Sequence, residues 1–461
     1  MFKKEFQKAA AMVLAAGMVF SMTACGGGAK ETTAAAKEEP KQTEQAAPES
    51  KAESADGKEE LTAEEGAEIE VAYWEGSSSD KEAWDELLDN LEKDHPEIKL
   101  VRQTYPSGDY RDMLDTRIAG DDWPDVIRYT YQRLGKFKKA DVMLDLTPYI
   151  SQENLDGISP AYLSACMYDG KLIGMPHHTD TMALFYNKRM FEEAGIRIPT
   201  SPEDAYSWEE LTDIARTLKE KYQLPYAFGG IWEKGSGYRY LPFIYMNGGA
   251  VLNEAQDAVT MDSPEVLEAI KLYEDWRKED LVVNTAFSGA NTTNSLFVAE
   301  QTAFTFSGSW HCSYMQENMG DKWGITYMPQ RNGKSGSDMG GNAVFAYAGT
   351  KYPKAAAIVV EYITNEENMK RFCETGSFIP VRTKLLEGGV EYKVFPEAMK
   401  VLNEIVTTID PKMAADETSV AFQQLNEIFV EEMDPLAVNN SATAEDVVAA
   451  CQERMTEALN E

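Results

Sequence analysis

The chain has 461 residues, with 44 Lys and Arg against 77 Asp and Glu, a formal net charge of −33. That excess argues against a general nucleic-acid binder and against adhesion to anionic lipid through a basic surface, since both need clustered cations. A hydrophobic fraction of 43% and a charged fraction of 26% are those of a globular protein, and the length exceeds what one core usually organises, so two lobes are expected.

Residues 1–24 begin with Lys3, Lys4 and Lys8, run apolar from Ala9 to Phe20, and end in small residues. This is the order of a secretory signal. The apolar run is shorter than the ~20 residues a membrane-spanning helix needs. Ser21-Met22-Thr23-Ala24-Cys25-Gly26 resembles a bacterial lipobox, with Met22 where Leu is commoner. The resemblance implies that Cys25 becomes the mature N-terminus and carries a diacylglycerol anchor. From there to Gly66 no aromatic occurs and Leu61 is the one large aliphatic. Such a stretch cannot bury enough surface to fold, so residues 25–66 read as a disordered tether. The signal contributes +2 and the tether −6, which leaves the body near −29.

From residue 67 strands and helices alternate. Ile69–Trp74 reads as a first strand. Ser79 with Glu82 reads as a capping box, ahead of Trp84, Leu87, Leu88 and Leu91 at helical spacing. Pro96 ends that helix and residues 98–101 form a second strand. A helix through Tyr110, Met113 and Leu114 ends at Gly120, and residues 125–127 form a third strand. This βαβαβ order predicts a parallel sheet. Ser207 caps a helix through Trp208 and Leu211. Ser263-Pro264 opens another, with Pro at the favoured first position. Residues 302–306 alternate like a strand, and a helix follows Pro353. The tail reads as helices near 394–407, 417–433 and 443–459, the last capped by Ser441 or Thr443. No second linker interrupts the folded part, so the lobes are expected to exchange chain more than once.

Enzyme signatures fail: there is no G-x-S-x-G, no G-x-x-x-x-G-K-[ST], no strand-linked G-x-G-x-x-G and no H-E-x-x-H. His177 and His178 suggest a metal only weakly, because neighbours on an extended segment point to opposite sides; a polar pocket or surface role is the plainer reading. Cys166, Cys312, Cys373 and Cys451 are widely spaced. They read as buried free thiols first and as one disulfide second. Neither metal nor cofactor is expected. Acidic pairs abound, so spacing alone leaves a glycosidase dyad open. Aromatic and polar residues gather in loops at strand ends: Trp74-Glu75-Gly76-Ser77, Tyr129 to Arg133, Trp232 to Tyr240, and Ser307-Gly308-Ser309-Trp310. Ligands collect at the carboxyl ends of parallel strands, and an aromatic face suits the apolar face of a sugar ring.

Several segments then follow in one order: Asp121-Asp122-Trp123-Pro124-Asp125-Val126, Leu144-Asp145-Leu146-Thr147, Asp169 to Pro176 (DGKLIGMP), Leu184-Phe185-Tyr186-Asn187-Lys188, Asn247-Gly248-Gly249, Ser307 to Trp310, and Ile379-Pro380-Val381-Arg382. Together they make residues 67–390 resemble the extracellular solute-binding proteins of sugar-type ABC importers. The resemblance implies a two-lobed α/β, periplasmic-binding-protein-like fold with a hinge and a ligand cleft between the lobes. Crossovers are expected after Pro176, near Gly340-Gly341-Asn342 and near Ser377-Phe378. Lobe one is then 67–178 plus 343–377, and lobe two 179–342 plus 378–461. By position, Glu75 and Ser77 fall where the family's first loop touches sugar hydroxyls, and Tyr129 where an aromatic stacks. Arg133 falls at a polar contact, while Gln132 replaces an acid common in maltose binders. Asp180 falls at a carboxylate past the crossover, and Tyr238 and Trp310 at stacking aromatics. Trp74, Trp232, Gly341 and Asn342 complete the expected ligand-binding set. The function implied is a monomeric, non-enzymatic receptor, exported and lipid-anchored to the outer face of the bacterial cell membrane. It would deliver a sugar or oligosaccharide to the transmembrane subunits of an ABC permease. A surface glycosidase and a glycan-docking lipoprotein without transport are the rival readings.

Overall fold

The computed structural model describes residues 61–232, 234–289 and 292–460; the signal segment, Cys25 and residues 25–60 of the expected tether lie outside them. Ordered packing starts before Gly66. Leu61 and Ala63 pack against the first hydrophobic core. The Glu64 carboxylate accepts the backbone N–H groups of Lys354 and Ala355 at 2.9 and 3.0 Å. These are first-turn donors of the helix Pro353–Thr364, whose own N-cap residue offers no side-chain bond, so Glu64 caps it from a distance. Burial pushes the Glu64 pKa up, but those N–H groups outweigh it and hold the group below its usual range.

Two sheets organise the rest. The five-stranded one has the order Lys99–Pro106, Glu68–Glu75, Val126–Thr130, Asn342–Ala346, Met175–His178. Its first three strands are parallel, as the βαβαβ pattern predicts. Asn342–Ala346 is antiparallel to both its neighbours, so the sheet is mixed: that strand arrives from the other lobe, not through a crossover helix. The four-stranded sheet has the order Trp323–Thr326, Met182–Asn187, Phe304–Gly308, Phe228–Gly230. Only its last pair is parallel.

The chain leaves the first sheet at residues 178–182, returns to it at Asn342, and departs again past Gly376. Two of these passages are tied together, since Thr179 and Ile379 exchange backbone bonds of 2.8 and 3.2 Å. The third passage is gradual. Phe378, Val381 and Leu385 still pack in the first core, whereas Ile379 and the helix Pro396–Ile405 pack beside the second sheet.

Several local readings need revision. The helix Ser78–Asp94 is capped by Ser77, whose Oγ accepts from Asp80 N at 3.1 Å; Ser79 lies inside it and bonds Ser313 Oγ instead, at 3.0 Å. The strand expected at 302–306 runs Phe304–Gly308. The tail helix expected at 417–433 is two helices, Pro411–Glu417 and Phe422–Asn439. Ser207 and Thr443 do form full capping boxes, with Glu210 and Asp446. All four described Cys are free and buried, which agrees with the first of the two cysteine readings. His177 and His178 do not point apart. The register slips between Asn342 and Ala343, a bulge that re-aims His177. Both rings then lie 5.0 Å apart against Phe372, and both are fully buried.

Candidate functional site

A cavity of about 790 Å³ opens between the lobes, within the roughly 300–1,000 Å³ span of small-molecule sites. The first lobe supplies Trp74, from the end of the first strand, and Arg128, from the third. The Arg128 guanidinium lies over the Trp74 ring at 3.9 Å. It donates to Trp74 O at 2.8 Å and pairs with Asp80 at 3.0 Å. Asp80 also accepts from Gly76 N at 2.8 Å. Arg128 and Asp80 are almost fully buried, so this closed set of bonds fixes the indole and the loop after it. Tyr129 lines the cavity but is only 2% exposed, with its ring edge-on to Phe137 at 5.3 Å. Its hydroxyl has no partner, so it can offer a ligand an O–H and little ring face.

The second lobe supplies Tyr238, Arg239 and Trp310. Here too a guanidinium covers the indole: Arg239 lies 4.1 Å from the Trp310 ring. Arg239 pairs with Asp338 at 3.1 Å and stands 3.8 Å from Asp180. Burial opposes its charge, and Tyr238, Asp338 and Asp180 more than restore it.

Asp180 sits on the passage between lobes. Burial drives its pKa up to about 7, against the pull of Arg239 and with a push from Asp338. Its Oδ1 accepts no hydrogen bond. Asn342, where the chain re-enters the first lobe, donates to His178 Nε2 at 2.9 Å and leaves its own Oδ1 unpartnered. An unpaired buried polar atom costs roughly 1–3 kcal/mol, so these atoms mark where a ligand's hydroxyls would be rewarded. The two glycines beside them are required by space. A Cβ on Gly340 would meet Asp180 Oδ1 at 1.9 Å, and Gly341, at φ +101, would meet His178 O at 2.3 Å.

Eight expected residues therefore line one cavity: Trp74, Tyr129, Arg133, Asp180, Tyr238, Trp310, Gly341 and Asn342. Four lie elsewhere. Trp232 is fully buried in the second lobe's core. Gln132 is buried behind the wall, donating to Met339 O at 2.7 Å and to Glu417 at 3.2 Å. Glu75 is held by exposed Lys81 at 3.1 Å. Ser77 uses its hydroxyl as the helix cap. Arg128 and Arg239 were not foreseen: one is in a strand and the other in a Tyr-Arg-Tyr turn, and their acids lie 48 and 99 residues away. The lobes also touch at the cleft's edge, where Ser78 donates to Glu317 at 2.8 Å.

The chain is similar to known binding proteins in sequence and in fold. The Multiple sugar-binding protein of Streptococcus mutans is 25% identical over 316 residues, covering 64% of this chain and 71% of that one. The Galactooligosaccharide-binding protein of Bacillus subtilis is 24% identical over 379 residues, 78% and 82% of the two chains. The solved GacH receptor of Streptomyces glaucescens superposes with a TM-score of 0.73 at 22% identity, covering 86% of this chain and 99% of that one; this likeness is one of fold, the two-lobed fold expected above. The profile of the bacterial extracellular solute-binding proteins matches residues 86–400, and the chain belongs to that family.

Proposed function

We propose that the protein is a receptor for a sugar or oligosaccharide, which it binds between its lobes and presents to an ABC permease, held at the outer membrane face by lipid on Cys25. The observation that carries the ligand class is the pairing of two indoles, Trp74 and Trp310, from different lobes on one cavity whose floor holds the unpartnered oxygens of Asp180 and Asn342. Indole faces suit the C–H face of a sugar ring, and the open valences suit its hydroxyls. The names of the sugar-binding relatives support the same reading. No covalent step is required: closure follows when the ligand binds the closed form better than the open one.

A thermal-shift screen against mono- and oligosaccharides tests it, followed by calorimetry on any hit. A saccharide that binds only the native state raises the melting temperature, by an amount set by its concentration over Kd. The expected result is stoichiometric binding with the glycan recovered intact. Turnover of the glycan would favour a glycosidase, and a screen without any shift would overturn the sugar reading.

A further inference from the structure

In this acidic chain nearly every arginine has an acid beside it. Among the described residues all but Arg133 and Arg382 ion-pair with Asp or Glu. Arg382 is buried and hydrogen-bonds Asn154 and Thr364 O. Arg133 has neither an ion pair nor a hydrogen bond, and it lines the cleft. Two further cations stand with it. A Cβ placed on Gly235 would lie 3.1 Å from Arg111 Nη1 and 3.8 Å from Arg133 Nη2, so both guanidinium groups converge on one spot. Lys234, the residue before, also has no ion pair among the described residues and reaches towards Gly108 across the cleft, 3.5 Å from a Cβ there. Arg111 touches an acid only through Nε, at 3.5 Å from the exposed Asp112, which leaves its outer nitrogens open. Of the cavity acids, Asp115, Glu431 and Asp80 are taken by Lys136, Arg454 and Arg128, while Glu427 accepts from Gln423 at 3.2 Å and has no cation among the described residues.

Three cations drawn from both lobes, two of them without an ion pair among the described residues, are chemistry for an anion. A half-buried planar guanidinium binds a carboxylate or sulfate in a forked, charge-assisted pair. We infer that the saccharide is an acidic one, whose carboxylate or sulfate sits between Arg111, Arg133 and Lys234 while its rings reach Trp74 and Trp310. The inference rests on the sugar reading above and narrows it.

Calorimetric titration of the purified full chain with digalacturonate, a sulfated disaccharide and neutral digalactose tests it. At least one acidic probe should bind tenfold or more tighter than the neutral one, and which of the two does so tells carboxylate from sulfate. Arg133→Gln and Lys234→Gln should each lower the acidic-to-neutral affinity ratio at least fivefold, and Arg133→Lys should keep part of it. Neutral sugar binding as well as or better than both acidic probes, or a ratio that the substitutions do not move, overturns the inference and leaves the sugar reading standing. Failure of every saccharide to bind overturns both.

Discussion

Two tryptophans leave neighbouring parallel strands by the same local path and end in different environments. Phe228–Gly230 and Phe304–Gly308 lie side by side, and each is followed by the spacing Gly-x-Trp, at Gly230–Trp232 and Gly308–Trp310. In both, the indole folds back over the glycine: a Cβ there would meet the ring at 2.1 and 1.9 Å. Trp232 then enters a cage of Tyr240, Tyr273, Phe287 and Phe306 and is fully buried. Trp310 stays partly exposed, with Arg239 over its ring and the cavity beside it. What separates them is the ground they stand on. The first rests on rings alone, the second on a buried polar group of Arg239, Asp338 and Asp180. A strand-end aromatic becomes a binding surface where charged neighbours prevent the core from closing over it.

Trp232→Ala should lower the unfolding free energy by about 3–5 kcal/mol, the usual loss for a large aromatic removed from a core. Urea denaturation measures it, and a loss below about 1 kcal/mol would break the contrast. The polar ground under Trp310 should show itself as a pH effect. The Asp180 pKa is about 7 in the fold and about 3.9 in an unfolded chain. Between those values the native protein holds a proton that the unfolded chain has released. The contribution of Asp180 is therefore full below about pH 4 and is lost as pH rises to 7. Asp338 and Glu417 are shifted upward by burial too and act with the same sign. Asp180→Asn should flatten the fall in melting temperature between pH 5 and 8, and a slope equal to that of the wild type would remove Asp180 from this account. The smallest effect is expected at the cleft itself. Trp310→Ala should weaken ligand binding at least tenfold, about 1.4 kcal/mol, with the melting temperature of the free protein little changed. Unchanged affinity by calorimetry would leave the two tryptophans alike in role.

The same pair shows what could be read from residue order. That Trp74 ends a strand and Trp310 follows one is visible in the alternation of residues, and so are the helices capped by Ser207, Ser263 and Thr443. Which indole reaches the cleft is not visible, because it depends on Arg239 meeting Asp338 and Asp180 from 99 and 59 residues away. Ser77 illustrates the same limit at short range. Ser77, Ser78 and Ser79 all suit a cap, and the choice follows from Asp80, whose side chain binds Arg128 and Gly76 and so sets where the first turn begins. The antiparallel strand Asn342–Ala346 was hidden for a related reason: its partners lie more than 150 residues earlier.

That strand sets when the first lobe's sheet can be completed. Asn342–Ala346 is the fourth of the five strands and lies between Val126–Thr130 and Met175–His178, so the edge strand Met175–His178 cannot join the first lobe's sheet until some three-quarters of the chain has left the ribosome. Pairings of such long sequence separation form slowly, because loop closure must precede any gain from contact.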